Sequence, residues 1–334
     1  MVNPVMAMFR RPAQRRRRRG ALALIPSEGV REETFQNLGG IPQWVTIRGH
    51  DKENPVLLVV HGGPGSPYTP FNSWVSRWEE SFTVVQWDQR GAGHTFIRSG
   101  ATDLSLHRIV EDGLELAESL LRTYQRPIVV LGSSVGSLTA SLMARAAPQL
   151  FSTLVLSNVL APDSVARSWA KTIDAARDAR NRKAVRKLEQ IGPDPGAWSA
   201  EQAQMQSKIA AHLSGGASNM VYDLMLPALM YDPTLTMADI RNIDHGMESS
   251  LTALYPDYSV FPLATSDRVF EMPVLAIHGE EDLISPVSAA RDYVATLTAP
   301  QTAFIGIPDA GHLVEFAAPG QFSAHVLNFT RANA

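Results

Sequence analysis

The chain has no cysteine among its 334 residues. That absence excludes disulfides, thiolate catalysis and cysteine-ligated zinc. There is also no His-Glu-x-x-His pattern and no pair of histidines at ligand spacing, so no metal is expected. No apolar run reaches the roughly 18 residues needed to span a bilayer. The Gly-x-Gly-x-x-Gly fingerprint is missing too. Gly62-Gly63-Pro64-Gly65 follows an apolar run, but its spacing differs and a proline occupies the turn. A dinucleotide site is therefore not expected, and no cofactor is implied. Basic charge is scarce outside the N-terminal stretch. Residues 1–20 hold seven arginines and no acid, and the remainder carries 23 basic against 33 acidic residues. An acidic body of this kind is not expected to bind nucleic acid.

The arginine tract from Arg10 to Arg19 reads as a disordered extension covering residues 1–30. Such tracts can also act as nucleic-acid or membrane-surface tails. The stretch Ala21-Leu22-Ala23-Leu24-Ile25-Pro26 is too short for the apolar core of a signal peptide, so a cytoplasmic location is expected.

What is present starts with Gly132-Ser133-Ser134-Val135-Gly136. It follows the apolar run Pro127 to Leu131 and precedes a helix-forming stretch, Ser137 to Ala147. A chain of this length offers Gly-x-Ser-x-Gly by chance with probability about one in ten. The strand–turn–helix context is what gives the match meaning. The turn must be sharp enough to lift the Ser134 hydroxyl above the sheet, at the expense of a strained backbone. Strand and helix then pass so closely that both flanking positions require glycine. Ser133 lies one residue off the turn, and its side chain is expected to point away.

A serine hydroxyl is a weak nucleophile near neutral pH and needs an adjacent base, an acid to orient that base, and donors for the developing oxyanion. Asp282 is the candidate acid, in the stretch after the strand-like run Pro273 to Ile277. Its rivals are Glu280, Glu281, Asp309 and Asp163. His312 is the candidate base, in a loop after the apolar run Ala303 to Ile307. Its rivals fit other roles: His61 bracing a loop, His94 lining a pocket or serving structure, His278 buried at a strand end. The chain order Ser134, Asp282, His312 is that of α/β-hydrolases. Pro55 to Val60 reads as a buried strand ending in His61-Gly62-Gly63-Pro64-Gly65. Gly63 and Val135 are the expected oxyanion donors, with Gly62 as the alternative to Gly63. Asp88 and Arg90 are expected to brace one another beneath the site.

His61-Gly62-Gly63-Pro64-Gly65, then Asp88-Gln89-Arg90-Gly91-Ala92-Gly93-His94, then the serine turn, resemble the proline iminopeptidase group of α/β-hydrolases. The segment Gly39 to Trp44 through Ile47-Arg48-Gly49 resembles that group's first hairpin. The likeness runs from about Glu33 to the C-terminus and is weakest in the middle. It implies a capped α/β-hydrolase fold, a serine triad and no cofactor. It implies a small peptide or amide substrate with an N-terminal proline or similar residue, although esterases and amidases of the group share the signatures. Two departures stand out. Val135 occupies the position where the group carries Trp. The glutamates that hold the substrate amine in that group's cap have no clear counterpart, and Glu201, Asp223, Asp232 and Glu248 are unranked candidates.

The organisation follows a βα rhythm. Residues 33–50 read as a hairpin turning at Gly39-Gly40. Phe82 to Asp88 and Leu154 to Ser157 read as strands, and Leu104 to Tyr124 as an amphipathic helix. Alternation of this kind implies a doubly wound, mostly parallel sheet. The rhythm breaks from Pro162 to about Val269, which is rich in helix formers. The expected division is an arm over 1–30, a first core part over 31–160, a helical cap over 161–269, and a second core part over 270–334. The fold class is α/β, with an inserted helical cap.

The function expected is hydrolysis through an acyl-enzyme. Ser134 attacks, His312 moves the proton, Asp282 orients His312, and Gly63 and Val135 hold the oxyanion. An aminopeptidase on small peptides or amides is the first reading and a carboxylesterase the second. A hydrolase fold used only as a binding module would predict a missing triad member, and none is missing.

Overall fold

The computed structural model describes residues 4–23, 26–260 and 268–333. In chain order the first half runs α1 (Pro4–Ala23), β1 (Val30–Leu38), β2 (Ile41–Gly49), β3 (Val56–Val60), β4 (Thr83–Asp88), α2 (Gly93–Ser99), α3 (Leu106–Tyr124), β5 (Ile128–Ser133), α4 (Val135–Ala146) and β6 (Phe151–Ser157). Five helices follow: α5 (Ser164–Asp178), α6 (Arg182–Ile191), α7 (Ala200–Leu213), α8 (Leu226–Tyr231) and α9 (Met237–Val260). The chain then returns through β7 (Val274–Gly279), α10 (Val287–Val294), β8 (Thr302–Ile307), α11 (Val314–Ala317) and α12 (Pro319–Ala332).

The eight strands form one sheet in the order β1-β2-β4-β3-β5-β6-β7-β8. The β1–β2 and β2–β4 pairs are antiparallel, and every later pair is parallel. The central strands are continuous apolar runs because both faces are covered. Val56, Leu58 and Val60 enter one core cluster, while Leu57 and Val59 enter the other. Val130 and Val129, and Leu156 and Val155, split the same way. This is the two-residue period of a strand expressed as a two-sided core. Each fully buried aliphatic side chain contributes about 1.5–3 kcal/mol of transfer free energy.

Parallel pairing brings the C-terminal ends of β3, β5, β6, β7 and β8 to one edge, where sheets of this kind bind ligands. The α5–α9 insertion is fastened over that edge at three places. Ser168 Oγ donates to the Leu283 carbonyl past β7 at 2.5 Å. Ser250 Oγ donates to the Gly91 carbonyl past β4 at 2.9 Å. The Ala217 amide donates to the Asp309 carbonyl past β8 at 2.7 Å. Residues 261–267, near the end of the expected cap, lie outside the described residues.

The N-terminal arm departs from expectation. Residues 4–23 form helix α1 and pack against α8, where disorder was expected over residues 1–30. Residues 1–3, 24 and 25 lie outside the described residues. The physical reason is that three of the arginines find acceptors that leave no trace in a charge count. Arg11 donates to the Met230 and Leu235 carbonyls at 3.0 and 2.7 Å, and Arg15 to the Pro233 carbonyl at 2.6 Å. Arg18 donates to the Ala228 carbonyl, and its guanidinium lies 5.4 Å from the ring centres of both Trp74 and Tyr231. Planar, weakly hydrated guanidinium groups suit such half-buried stacking. Burial, partly offset by Asp232 and Tyr231, lowers the Arg18 pKa to about 10, so it remains charged at neutral pH.

Candidate active site

Ser134 links β5 to α4 with φ 55° and ψ −124°, a conformation that L-residues rarely adopt. Strain of this sort is worth about 1–3 kcal/mol and persists only where the surroundings enforce it. The flanking glycines show the enforcement. A Cβ on Gly136 would strike the Val60 and His61 carbonyls, and one on Gly132 would strike Gly136 and Ala140. Four of the seven described non-glycine residues at positive φ lie at this sheet edge: Ser134, Asn158, Asp309 and Leu313.

Ser134 and His312 lie 3.1 Å apart (Oγ to Nε2), and His312 Nδ1 lies 2.8 Å from Asp282 Oδ2. Asp282 is fully buried and His312 nearly so. Asp282 Oδ1 also accepts from the backbone amides of Ile284 and Ser285 at 2.7 and 2.9 Å. With Nδ1 facing a carboxylate, the ring donates there and presents a bare Nε2 to the serine. Burial opposes charge on His312. The Asp282 charge and hydrogen bond outweigh it, Glu315 adds to them, and the imidazole pKa stands above its usual 6.5. Burial likewise opposes ionisation of Asp282, but His312 prevails, followed by His278 and the Ser285 amide, and holds its carboxyl below the usual range.

The rivals fall elsewhere. Glu280, Glu281, Asp309 and Asp163 are exposed. His278 is fully buried; burial brings its pKa down to about 4 despite nearby Asp282. His94 sits at the start of α2 with Nδ1 at 3.2 Å from Asp88. Asp88 and Arg90 do not brace one another. Asp88 accepts from Thr69 and His94, whereas Arg90 runs to Asp112 on α3 at 2.9 Å. Arg90 lies past the end of β4, so strand alternation no longer dictates which face it takes. Of the four cap carboxylates, Glu201 and Glu248 are exposed and Asp223 is half-buried, its Oδ2 accepting from the Asn219 amide. Asp232 is buried and accepts from Thr234 and Leu235 within its own turn.

The glycine loop after β3 borders Ser134. A Cβ on Gly62 would lie 2.8 Å from that of Ser134. His61 is wedged beneath: its Nε2 accepts from the Gln89 amide at 3.2 Å, and its Nδ1 lies 2.8 Å from the Gly62 carbonyl. Burial keeps this imidazole neutral by lowering its pKa, against weaker opposing contributions from Gly62 and Asp88. With Nε2 accepting, Nδ1 is the donor. The Gly62 carbonyl is thereby held toward His61, and the Gly63 N–H of the same planar peptide points the opposite way. Gly63 is itself exposed. Val135 opens α4, so its N–H is among the first-turn donors without an intrahelical acceptor.

Sequence reasoning missed the residues that hold these loops together. Glu315 is fully buried and accepts from Ser133 Oγ at 2.5 Å, Asn158 Nδ2 at 2.6 Å and Ser157 Oγ at 3.2 Å. Asn158 Oδ1 accepts from the Val314 amide. Tyr68 donates to Ser133 at 3.0 Å, and Phe316 stacks on Phe71 with ring centres 3.9 Å apart. Ser285 Oγ reaches Asp282 Oδ2 at 2.8 Å. The need is geometric. β8 lies three strands from β5, about 14 Å at the usual strand spacing, so the His312 loop must cross back over β7 and β6 and be fastened there.

The family model for the alpha/beta hydrolase fold matches residues 55–319. The chain belongs to the α/β-hydrolase fold family. Among proteins of known name it is similar to the probable aminopeptidase YbaC of Bacillus subtilis (strain 168), with 26% identity over 86% of this chain and 92% of the relative. Among solved structures it is similar to the proline iminopeptidase of Mycobacterium smegmatis, with 18% identity, a TM-score of 0.62, and coverage of 91% of this chain and 98% of that one. A thermophilic esterase from Thermogutta terrifontis aligns with 21% identity and a TM-score of 0.59 over 91% and 98% of the two chains. These two structures bear on the fold.

Proposed function

We propose that the chain is a serine hydrolase working through an acyl-enzyme, with an aminopeptidase-like preference for small peptides or amides. The observation that carries this reading is the Ser134–His312–Asp282 relay, at 3.1 and 2.8 Å. Ser134 Oγ attacks the substrate carbonyl while His312 Nε2 accepts its proton. Asp282 holds the tautomer and stabilises the imidazolium that forms. The Gly63 and Val135 N–H groups receive the oxyanion as the tetrahedral intermediate develops. Collapse expels the amine or alcohol, protonated by His312, and leaves an ester on Ser134. Water, activated by the same imidazole, releases the acid. The α5–α9 insertion is the cap that limits access of water.

The aminopeptidase preference draws on the named similarity to a probable aminopeptidase across most of both chains. A carboxylesterase is the second reading. It is favoured by the cap carboxylates, since Glu201 and Glu248 are exposed and Asp232 is engaged within its own turn. An ammonium group needs a buried carboxylate partner to be held. Purified protein assayed in parallel on proline arylamides and short p-nitrophenyl esters tests the choice. Arylamide turnover that falls when the amine is blocked supports the aminopeptidase; ester turnover alone supports the esterase. Inactivity on both contradicts the hydrolase reading.

A further inference from the structure

The inner face of α1 is explained by its docking on α8; its outer face is not. The helix is about 30 Å long at 1.5 Å per residue. Val5, Met6, Met8 and Phe9 are 63%, 46%, 51% and 80% exposed, half of the large apolar side chains that stand out among the described residues. Arg10, Arg16, Arg17 and Arg19 are also exposed, and none has a hydrogen bond or ion pair to a described residue. The helix contains no acidic residue. On a 3.6-residue period Val5, Phe9 and Arg16 fall in line, with Met6, Arg10 and Arg17 along one flank and Met8 and Arg19 along the other. The outer face is thus apolar toward its start and cationic toward its end.

We propose that this face of α1 docks on an anionic lipid surface. Phe9, Val5 and Met6 enter the boundary between headgroups and acyl chains, and the four exposed arginines meet lipid phosphates. Guanidinium groups match phosphate oxygens in fork geometry. Both halves of the face are then used. A nucleic-acid backbone would take the arginines but leave Val5 and Phe9 against water. Charge complementarity sets the orientation as well, because the rest of the chain is net acidic and is repelled by the same surface. The inner face is already held by Arg11, Arg15 and Arg18, so docking requires no helix formation.

The test is co-sedimentation of the full chain with vesicles of equal parts phosphatidylglycerol and phosphatidylcholine, and with vesicles of phosphatidylcholine alone, at low and high salt. The expected result is binding to the first, little to the second, and loss of binding in high salt. R16Q/R17Q/R19Q lowers the partition coefficient roughly a hundredfold. Phe9→Ser lowers it at least about tenfold. Both variants keep wild-type circular dichroism and ester turnover, which shows that the fold is intact. Absence of binding to the anionic vesicles, or equal binding to both kinds, overturns the proposal. So does duplex DNA binding that needs the arginines but is indifferent to Phe9→Ser.

Discussion

Glu315 accepts a hydrogen bond from Ser133 at 2.5 Å, so the loop carrying His312 is fastened directly beneath the turn carrying Ser134. The contact joins residues 182 positions apart, one next to Ser134 and the other three residues past His312. It also puts a carboxylate where it favours charge on His312. Replacing Glu315 with Gln keeps an acceptor but removes the charge. The acid limb of the kcat/KM profile should then move to lower pH, because His312 loses a group that raises its pKa. Glu315→Ala leaves the buried Ser133 hydroxyl without its acceptor and takes from Asn158 Nδ2 the nearest of its three, and should lower stability by about 1–3 kcal/mol in a urea titration. An unmoved acid limb in folded Glu315→Gln would show that the carboxylate acts only as a fastener.

For the unmodified chain the proposed mechanism sets the sign through His312. Its pKa stands above 6.5 in the fold, and under the proposed mechanism the imidazole must be neutral to accept the Ser134 proton. kcat/KM should therefore fall as pH drops through a value above 6.5, before an unperturbed histidine would protonate. His61 and His278, both pushed down by burial, stay neutral across that range and do not contribute. A profile from pH 5 to 9 with folding checked at each point decides this. A flat profile would speak against a histidine base.

Asp282→Asn preserves volume but lets the ring adopt the wrong tautomer. The expected loss in kcat is roughly 10⁴-fold with little change in thermal stability. A loss below about tenfold would move the orienting role to another group, Ser285 being the nearest to both partners.

Gly136→Ala tests the close passage of α4 over the β3 end. The added methyl meets the Val60 and His61 carbonyls, which are backbone and cannot rotate away. The cost expected is about 1–3 kcal/mol or more, together with displacement of the turn and loss of turnover. Wild-type Tm and rate would mean the turn has slack that the geometry denies.

Much of this site was legible from the chain because each part is local. Strand, turn and flanking glycines lie within ten residues of Ser134, and Asp282 and His312 each follow an apolar run closely. The parallel sheet followed from the βα alternation, and parallel pairing brings those three loops to one edge. Glu315 and Asn158 were not legible, because their partners come from other strand ends and nothing in their own neighbourhood marks them; Ser285 lies three residues from Asp282, but its reach to the Asn158 carbonyl and to His312 exists only once the strand ends are assembled. The α1 helix was misread for a related reason. Arginine looks like a solvated charge until its carbonyl acceptors on Ala228, Met230, Pro233 and Leu235 are in place. Arg90 illustrates the same limit, since its partner Asp112 becomes visible only once α3 packs on the sheet.

Removing residues 1–23 should therefore lower Tm, an outcome a disordered arm would not give. The deletion bares the α8 surface around Met230 and Tyr231 and frees Trp74 from Arg18. The hydrogen bonds that tie the helix down among the described residues run to the α8 region and to Arg31 and Arg48, away from Ser134, Asp282 and His312, so kcat/KM at low temperature should change little. An unchanged Tm in a scanning calorimeter would mean that the docking contributes nothing to stability.

The central claim is that Ser134 becomes acylated, and the most direct measurement is the mass of the enzyme during turnover. The folded protein is mixed with a p-nitrophenyl ester or a proline arylamide, quenched in acid within the first turnover, and digested for peptide mapping. The account predicts one acyl group, carried by the peptide that contains Ser134 and absent from a folded Ser134→Ala variant, whose turnover falls by roughly 10⁴-fold or more. An acyl group on another residue, or substantial turnover by folded Ser134→Ala, would contradict it.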